Sequence, residues 1–214
     1  MNMKSVSVGL ILIALFGFYC RAQTVSDAFD SKVKIIWLGL DFTEAKLIGD
    51  FEHFGVESSV KTFMASLNEL MSNEREKYDI AKTFEKSTVD YKLEICEKHN
   101  NGLKTEGMYS TELNDYLHLK PEDINKIAAG YDYQELHGMG LMFNIESFNK
   151  LTTQASMFVT FIDMDTKKVL FTERMTAEPS GFGIRNYWAG AVYAVMKNIE
   201  KKQLKTWQKN HGQE

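Results

Sequence analysis

The alternation of apolar and polar residues first marks a strand at residues 33–42, VKIIWLGLDF. Both alternating sets of side chains are mainly apolar, which is typical of a strand at the centre of a sheet, with elements packed above and below it. One layer would receive Val33, Ile35 and Trp37, and the other would receive the alternate set: Ile36, Leu38, Leu40 and Phe42.

Helical periodicity follows in four places. Apolar residues at three- and four-residue steps predict a helix over residues 58–71, and a weaker pattern covers residues 78–84. Residues 120–130 open with Lys-Pro-Glu-Asp and end in Gly, which suits the first turn and the stop of a helix. Residues 184–207 predict a long closing helix with lysines near its negative end.

Further strands are predicted at residues 89–99 and 138–146, and a hairpin is predicted over residues 157–175 with a polar turn. The order of elements is then strand, helix, helix, strand, helix, three strands and a helix. This order predicts an α/β (α+β) fold: a single mixed β-sheet with packed helices, ending in a β-hairpin and a long C-terminal helix.

The pattern resembles a known family of envelope proteins at three short segments: residues 35–41, 158–163 and 166–170. The chain has an opening buried strand, a helix, and a late hairpin with an Asp-x-x-Thr turn before a final helix. This arrangement resembles the N-terminal domain of the translocation protein TolB and the related CsgG-like curli-secretion proteins. The resemblance implies a fold and an envelope role by analogy, and no functional residue is transferred from it.

Residues 1–22 have the order of a secretory signal peptide: a basic start, a short apolar run and the sequence RAQ. The apolar run is too short for a spanning helix, which needs about 20 residues. Cleavage before Gln23 leaves residues 23–214, which contain no linker-like stretch and predict a single globular domain. In an alternative interpretation the protein is a lipoprotein acylated at Cys20.

The net charge of the chain limits the classes of partner that we expect. Loss of Lys4 and Arg21 with the leader takes the formal net charge from −4 to −6, and such an acidic chain is not expected to bind nucleic acid. We expect a periplasmic or extracellular location after cleavage and another envelope protein as the partner. Membrane contact is expected only if Cys20 is lipidated.

The cysteine that remains after cleavage is Cys96, near the end of the predicted strand at residues 89–99 and on its mostly polar face. A reactive thiol needs an electropositive setting, whereas Glu94 and Glu97 lie beside this one. We therefore interpret Cys96 as an inert thiol that forms no internal disulfide.

The most specific local feature is EPSGFGIRNYW, residues 178–188, where two glycines follow a strand and open a helix. Backbone amides near Gly181 and Gly183 could bind an anion, with Arg185 and Asn186 in the first helical turn. The alternative is that the glycines only turn the chain. The segment also lacks the third glycine of the dinucleotide-binding fingerprint.

Other candidate chemistry is weaker. Asp163 and Asp165 lie in the hairpin turn, where Asp commonly accepts hydrogen bonds from its own backbone. No Gly-x-Ser-x-Gly nucleophile motif is present, and no cofactor or catalytic residue is predicted. One acidic stretch offers oxygen and imidazole ligands without the spacing of a known metal loop: Asp41, Glu44, Asp50, Glu52 and His53.

Two functions follow. The first is a non-enzymatic binding or assembly protein of the cell envelope, with Phe182 and Tyr187 as the contact and Trp188 in the core. The alternative is a small-molecule or anion-binding protein, or a hydrolase, that uses the loop at residues 181–185 and His137. A deep pocket that joins these two segments would favour the alternative.

Overall fold

The computed structural model describes residues 23–50, 54 and 57–212, so the predicted leader lies outside the described residues. It has a mixed α/β fold with a long C-terminal helical segment, which confirms the predicted fold class. The strands are β1 (Ile35–Asp41), β2 (Lys46–Ile48), β3 (Val89–Tyr91), β4 (Tyr109–Ser110), β5 (Met139–Asn149), β6 (Gln154–Asp163) and β7 (Lys168–Ala177). The α-helices are α1 (Val25–Phe29), α2 (Glu57–Asn73), α3 (Ile80–Thr83), α4 (Glu94–Gly102), α5 (Pro121–Gly130), α6 (Ile184–Asn198) and α7 (Leu204–His211).

The strands of the described residues form one sheet around β5. β6 runs antiparallel along one edge of β5 and β7 pairs with β6, which gives the predicted hairpin. Along the other edge of β5, β1 and β2 lie end to end and run parallel to it. β3 extends the sheet beside β1, and β4 extends it beside β2.

Helices cover both faces of this sheet. α2, α6 and α7 pack on one face in the larger core, together with Ile35 and Trp37. α4 and α5 pack on the other face with Ile36 and Leu38. β1 is therefore a central strand buried on both faces, as its apolar pattern predicts.

β1 changes face at Gly39. The register with β5 shifts between Trp37 and Gly39, and Gly39 has a φ of +106°. A bulge of this kind reverses the alternation of the side chains that follow it. Leu40 and Phe42 therefore join Trp37 in the larger core. The prediction that they face the other layer is wrong, because a strict two-residue period cannot anticipate the extra residue.

Two buried asparagines complete the edge of β1 beyond the short strand β3. The amide of Leu40 donates to Asn68 Oδ1 at 2.7 Å, and the Leu40 carbonyl accepts from Asn68 Nδ2 at 3.0 Å. From α4, Asn100 Nδ2 donates to the same carbonyl at 2.9 Å, and Asn100 Oδ1 accepts from the amide of Phe42 at 3.0 Å. The side chains thus supply hydrogen bonds that a neighbouring strand would otherwise make.

The strand predicted at residues 89–99 ends at Tyr91, and the chain turns into α4 at Glu94. Lys92 makes the last backbone bond to β1, from its amide to the Trp37 carbonyl at 2.9 Å. The helix then brings Asn100 to β1. Tertiary contacts with β1 thus override the local alternation that predicts a longer strand.

Cys96 lies on the buried face of α4, not on a polar strand face. Burial raises the pKa of the Cys96 thiol well above its ordinary value, and the nearby Asp41 adds to this effect. The predicted position is wrong because the segment is helical, whereas the geometry favours the predicted inert thiol.

The closing helical segment runs through α6, a π-helical turn at Ile199–Gln203 and α7, in agreement with the predicted long helix. Trp207 of α7 is buried, and its Nε1 donates to Glu173 Oε2 of β7 at 2.7 Å. Within the described part of the chain, no helix is both long enough and apolar enough to cross a bilayer.

Candidate functional site

Four strands finish at the same end of the sheet, as the strand register shows. Ile48 at the end of β2 pairs with Ser110 of β4 and with Asn149 of β5, and Asn149 pairs with Gln154 at the start of β6. Ala177, the last residue of β7, pairs with Ala155 one residue further along β6. We call this surface the loop end; it consists of residues 111–118, 150–153 and 178–184.

The loop end carries all of the large hydrophobic side chains that are exposed among the described residues. Phe182 is the extreme case, because 95% of its surface is accessible. The others are Leu113, Leu117, Leu151 and Ile184. Single exposed apolar residues are ordinary on a protein surface, but their confinement to one end of the sheet makes the loop end a candidate interaction surface.

Glycines shape the segment that presents Phe182. Gly181 and Gly183 have φ values of +128° and +79°, a region that side-chain-bearing residues rarely adopt. The amide of Ser180 donates to the Tyr187 carbonyl at 3.1 Å, so the segment folds back along the first turns of α6. A Cβ atom at Gly190 would overlap the Ser180 carbonyl, so glycine is needed there for this close approach.

The start of α6 is anchored by Trp188. Its ring is buried and stacks on Phe148 of β5, with centroids 4.7 Å apart, and on Phe54 at 5.8 Å. The predicted core position of Trp188 is confirmed. Because this stacking fixes the start of α6 to the sheet, the exposed residues just before α6 are attached to a rigid part of the fold.

A surface cavity of about 390 Å³ lies beside Phe182. Lys150 contributes a cation, with its Nζ 3.9 Å from the centroid of the Tyr187 ring. The described residues that line the cavity are Lys150, Gly181, Gly183, Ile184, Tyr187 and Trp188. Sequence reasoning found the glycines and Tyr187 but missed Lys150, which belongs to a distant turn.

Arg185 does not reach over the two glycines as a clamp. Its Nε donates to Asn186 Oδ1 at 3.2 Å, and both side chains are exposed. Neither is among the described residues that line the cavity. The cation nearest to the glycine backbone in this cavity is therefore Lys150 rather than the Arg185 that the sequence suggests.

His137 lies at the opposite end of the sheet, just before β5, whereas Gly181 follows the end of β7. Its Nδ1 is 2.6 Å from Asp165 Oδ1, and the Gly138 amide donates to Asp165 Oδ2 at 2.9 Å. These contacts, led by the bond from Gly138, lower the pKa of Asp165. Among the described residues, the cavity at Gly181 and Gly183 does not include His137, so a hydrolase that uses both loses its geometric basis.

The hairpin turn and the acidic stretch hold structural carboxylates. Asp163 Oδ1 accepts from the amides of Asp165 and Thr166 at 3.0 and 3.3 Å, which confirms the predicted turn role. Asp41 is buried and accepts from Tyr131 Oη at 2.6 Å and from Asn144 Nδ2 at 2.8 Å.

Burial, with the adjacent Asp41 carboxylate, raises the pKa of Tyr131, so that hydroxyl stays a donor. Glu44 and Asp50 are exposed, whereas Glu52 and His53 lie outside the described residues. In the described part of the chain, no three His, Cys, Asp or Glu side chains are grouped to hold a metal ion.

Two further cavities, of about 280 and 500 Å³, share His99 as a lining residue on the α4–α5 side. Two ion pairs lie there: Lys126 lies 3.0 Å from Asp123, and Lys98 lies 3.5 Å from Asp132. Glu44 also lines the larger cavity.

Comparison with known proteins gives distant structural similarities. No family model and no curated protein matches the chain. The C-terminal domain of LpoB from Salmonella enterica is 12% identical with a TM-score of 0.28, over 67% of this chain and 82% of that one.

Lipoprotein GNA1162 from Neisseria meningitidis is 16% identical with a TM-score of 0.29, over 79% of this chain and 97% of that one. The hypothetical protein CT253 from Chlamydia trachomatis is 10% identical with a TM-score of 0.35, over 83% and 96%. TM-scores below 0.5 carry no argument about function, and the resemblance to TolB and CsgG-like proteins stays a prediction.

Proposed function

We propose that this chain is an exported cell-envelope protein with a non-enzymatic binding or assembly role, and that it contacts another envelope protein through Phe182 and Tyr187 at the loop end. The observation that carries the proposal is the 95% exposure of Phe182 on a glycine-shaped segment that is fixed to the core beside it. Export rests on the signal-peptide pattern of residues 1–22.

The energetics favour a contact at this position. Burying a phenylalanine side chain that is otherwise exposed stabilises a complex by about 1.5–3 kcal/mol. Aromatic residues near the centre of an interface commonly dominate its affinity, while less buried neighbours exclude water. Tyr187 and Ile184 flank Phe182 and can form such a surround.

The loop end also points away from the start of the mature chain. The side chain of Gln23 lies near Gly138, just before β5, whereas the loop end begins after Asn149. At about 3.3 Å per residue, β5 separates the two ends by about 30 Å. If Cys20 carries a lipid, the loop end would therefore face away from the membrane and towards a soluble partner domain.

A second candidate function is anion binding at the cavity beside Phe182, with Gly181 and Gly183 near the ligand; the other two residues that the sequence suggests, Arg185 and Asn186, do not line this cavity. The observation that favours it is the Lys150 ammonium, which lines the cavity together with the two glycines. Lys150 would supply the charge, and the glycines would let a phosphate or carboxylate approach the backbone.

The test places a photo-activated crosslinking residue at position 182 of the protein in its own cells, with position 32 as the matched control. Lys32 is exposed and precedes β1, at the opposite end of the sheet. We expect a specific adduct from position 182 in the envelope fraction, and a mature N-terminus at Gln23. Equal adducts at the two positions, or an uncleaved chain in the cytosol, would contradict the proposal.

A further inference from the structure

We infer that an exposed group of lysines on the closing helical segment docks the protein on an anionic lipid surface. This surface is separate from the loop end, so the inference goes beyond the proposed function. We call it the lysine face; it consists of Lys201, Lys202, Lys205 and Lys209.

The lysine face lies on the outer side of the closing segment. Lys205 and Lys209 are four residues apart in α7, so their side chains are neighbours on the helix surface, and the other two lysines come from the π-helical turn just before α7. All four are exposed, whereas Leu204 and Trp207 of the same segment are buried. Residues 201–212 contain no acid.

The charge of the lysine face is not neutralised within the described part of the chain. None of its four lysines forms an ion pair with a described residue, whereas lysines elsewhere do, as Lys34 does with Asp90 and Lys98 with Asp132. Four free ammonium groups on one short helical segment therefore remain available to an anionic partner.

The acids beside the lysine face leave this surface positive. Glu200 pairs with Lys82 and Lys197, and Glu173 and Glu85 accept hydrogen bonds from side chains of the segment. These groups add two lysines and three acids to the four lysines of the face, on a chain whose formal net charge is −4. Each lysine close to an anionic lipid surface strengthens binding about fivefold.

The start of the mature chain lies beside the lysine face, which favours a membrane over an acidic protein as the partner. α1 packs on α7, with the centroid of the Phe29 ring 6.1 Å from that of Trp207 and 6.0 Å from that of His211. Cys20, the alternative lipid site, is three residues upstream of Gln23. A single lipid chain holds a protein only weakly, and a polybasic patch is a second signal that makes the attachment stable.

The lysine face and the loop end are far apart. α6 begins at the loop end, and the closing segment runs from there to its contact with α1. At about 1.5 Å per residue, Ile184 and Lys205 are about 30 Å apart along the helix axis. The protein can therefore rest on lipid through α7 while the loop end stays available to a soluble partner.

The experiment is cosedimentation of the protein, purified after expression of the full chain, with vesicles of phosphatidylcholine alone or mixed with phosphatidylglycerol. At about 0.02 M salt the Debye length is about 20 Å, so charges on the protein are weakly screened. We expect binding to the anionic vesicles only, and about 25-fold weaker binding for the double variant Lys205→Ala/Lys209→Ala. The matched control, Lys98→Ala/Lys126→Ala, removes the same charge from exposed positions of α4 and α5 on the other face of the sheet and should bind like the wild type.

A fluorophore reports which surface meets the lipid. Because Cys96 is buried, a cysteine introduced at an exposed position can be labelled selectively. Thr206 is exposed and lies within one helical turn of Lys202 and Lys209. A dye on Thr206→Cys should be quenched by vesicles that carry nitroxide on their headgroups, and a dye on Phe182→Cys should not.

The inference and the proposed function fail in different ways. Absence of binding to the anionic vesicles, equal binding to both kinds of vesicle, or equal loss of binding in the two double variants would overturn the inference and leave the proposed function standing. Quenching at position 182 but not at position 206 would overturn both, because lipid would then occupy the loop end. Quenching at position 206 with no crosslinked protein at position 182 would support the inference while the proposed protein partner fails.

Discussion

Replacement of Lys86 by methionine should remove a specific pH dependence of stability. Lys86 is only 5% exposed, and its Nζ donates to the backbone carbonyls of Asp30 at 2.6 Å and Asp27 at 3.3 Å, where α1 ends. Lys86 thereby holds α1 against the loop after α3. Methionine keeps the length and apolar character of the side chain but cannot be protonated.

The size of this pH effect follows from the pKa of Lys86. Burial lowers the pKa of Lys86 from an ordinary 10.5 to about 8, although Asp30 and Asp27 act in the opposite direction. Between these two values the unfolded chain binds more protons at this position than the folded chain does, so the free energy of unfolding rises with pH. Lys86 should therefore make the wild type about 3 kcal/mol more stable at pH 10.5 than at pH 8.

The assay is urea unfolding of the wild type and Lys86→Met from about pH 7 to about pH 11, followed as the difference between their unfolding free energies. Other groups that titrate in this range are present in both proteins and cancel in the difference. The control variant is Lys32→Met, at an exposed lysine between α1 and β1. A wild-type minus Lys86→Met difference that stays constant between pH 8 and pH 10.5 would refute the reasoning.

Three further predictions concern other parts of the chain. Arg174→Ala should cost about 3–5 kcal/mol in urea unfolding, because it leaves the fully buried Glu146 carboxylate without its cation; a change below about 1 kcal/mol would contradict this. If the cavity beside Phe182 binds inorganic phosphate in calorimetry, Lys150→Ala should weaken binding more than Arg185→Ala does, and equal affinity in both variants and the wild type would discard the anion site. Cys96 should react with a thiol reagent only after unfolding, and rapid labelling of the native protein would show that α4 opens.

The sequence predicts well those elements that are buried on one face, or on both faces, along their whole length. β1, α2, α5 and the late hairpin have long apolar patterns, and their packing partners reinforce those patterns. The hairpin turn is equally local, because Asp163 accepts hydrogen bonds from amides two and three residues later. Such features need no knowledge of distant contacts.

The elements that escape prediction depend on distant partners. β2 and β4 have only three and two residues, and they exist because β5 is long enough to pair with β2 after β1 has ended. α4 begins inside the segment whose alternation predicts a strand, and the helix brings Asn100 to the edge of β1, where its side chain makes hydrogen bonds. Neither requirement leaves a periodic signal in the local sequence.

The residues of the candidate site also fall into two groups: those that the local sequence predicts and those that depend on distant contacts. The glycines and aromatic residues of residues 181–188 stand out because they are contiguous in the sequence. Lys150 and Leu151 come from the β5–β6 turn, which meets α6 only after the sheet has formed. A leucine in a turn that is otherwise polar, KLTT, is the one local signal that could have indicated the additional apolar surface.

Asn68 and Asn100 have a consequence beyond the local hydrogen bonds. A strand margin with free amides and carbonyls is a template for strands from other molecules and so favours aggregation. The two carboxamides occupy the amides of Leu40 and Phe42 and the carbonyl of Leu40, so no foreign peptide can dock on that part of the margin. A variant at either position would leave a buried backbone amide of β1 without its partner and would open that part of the margin.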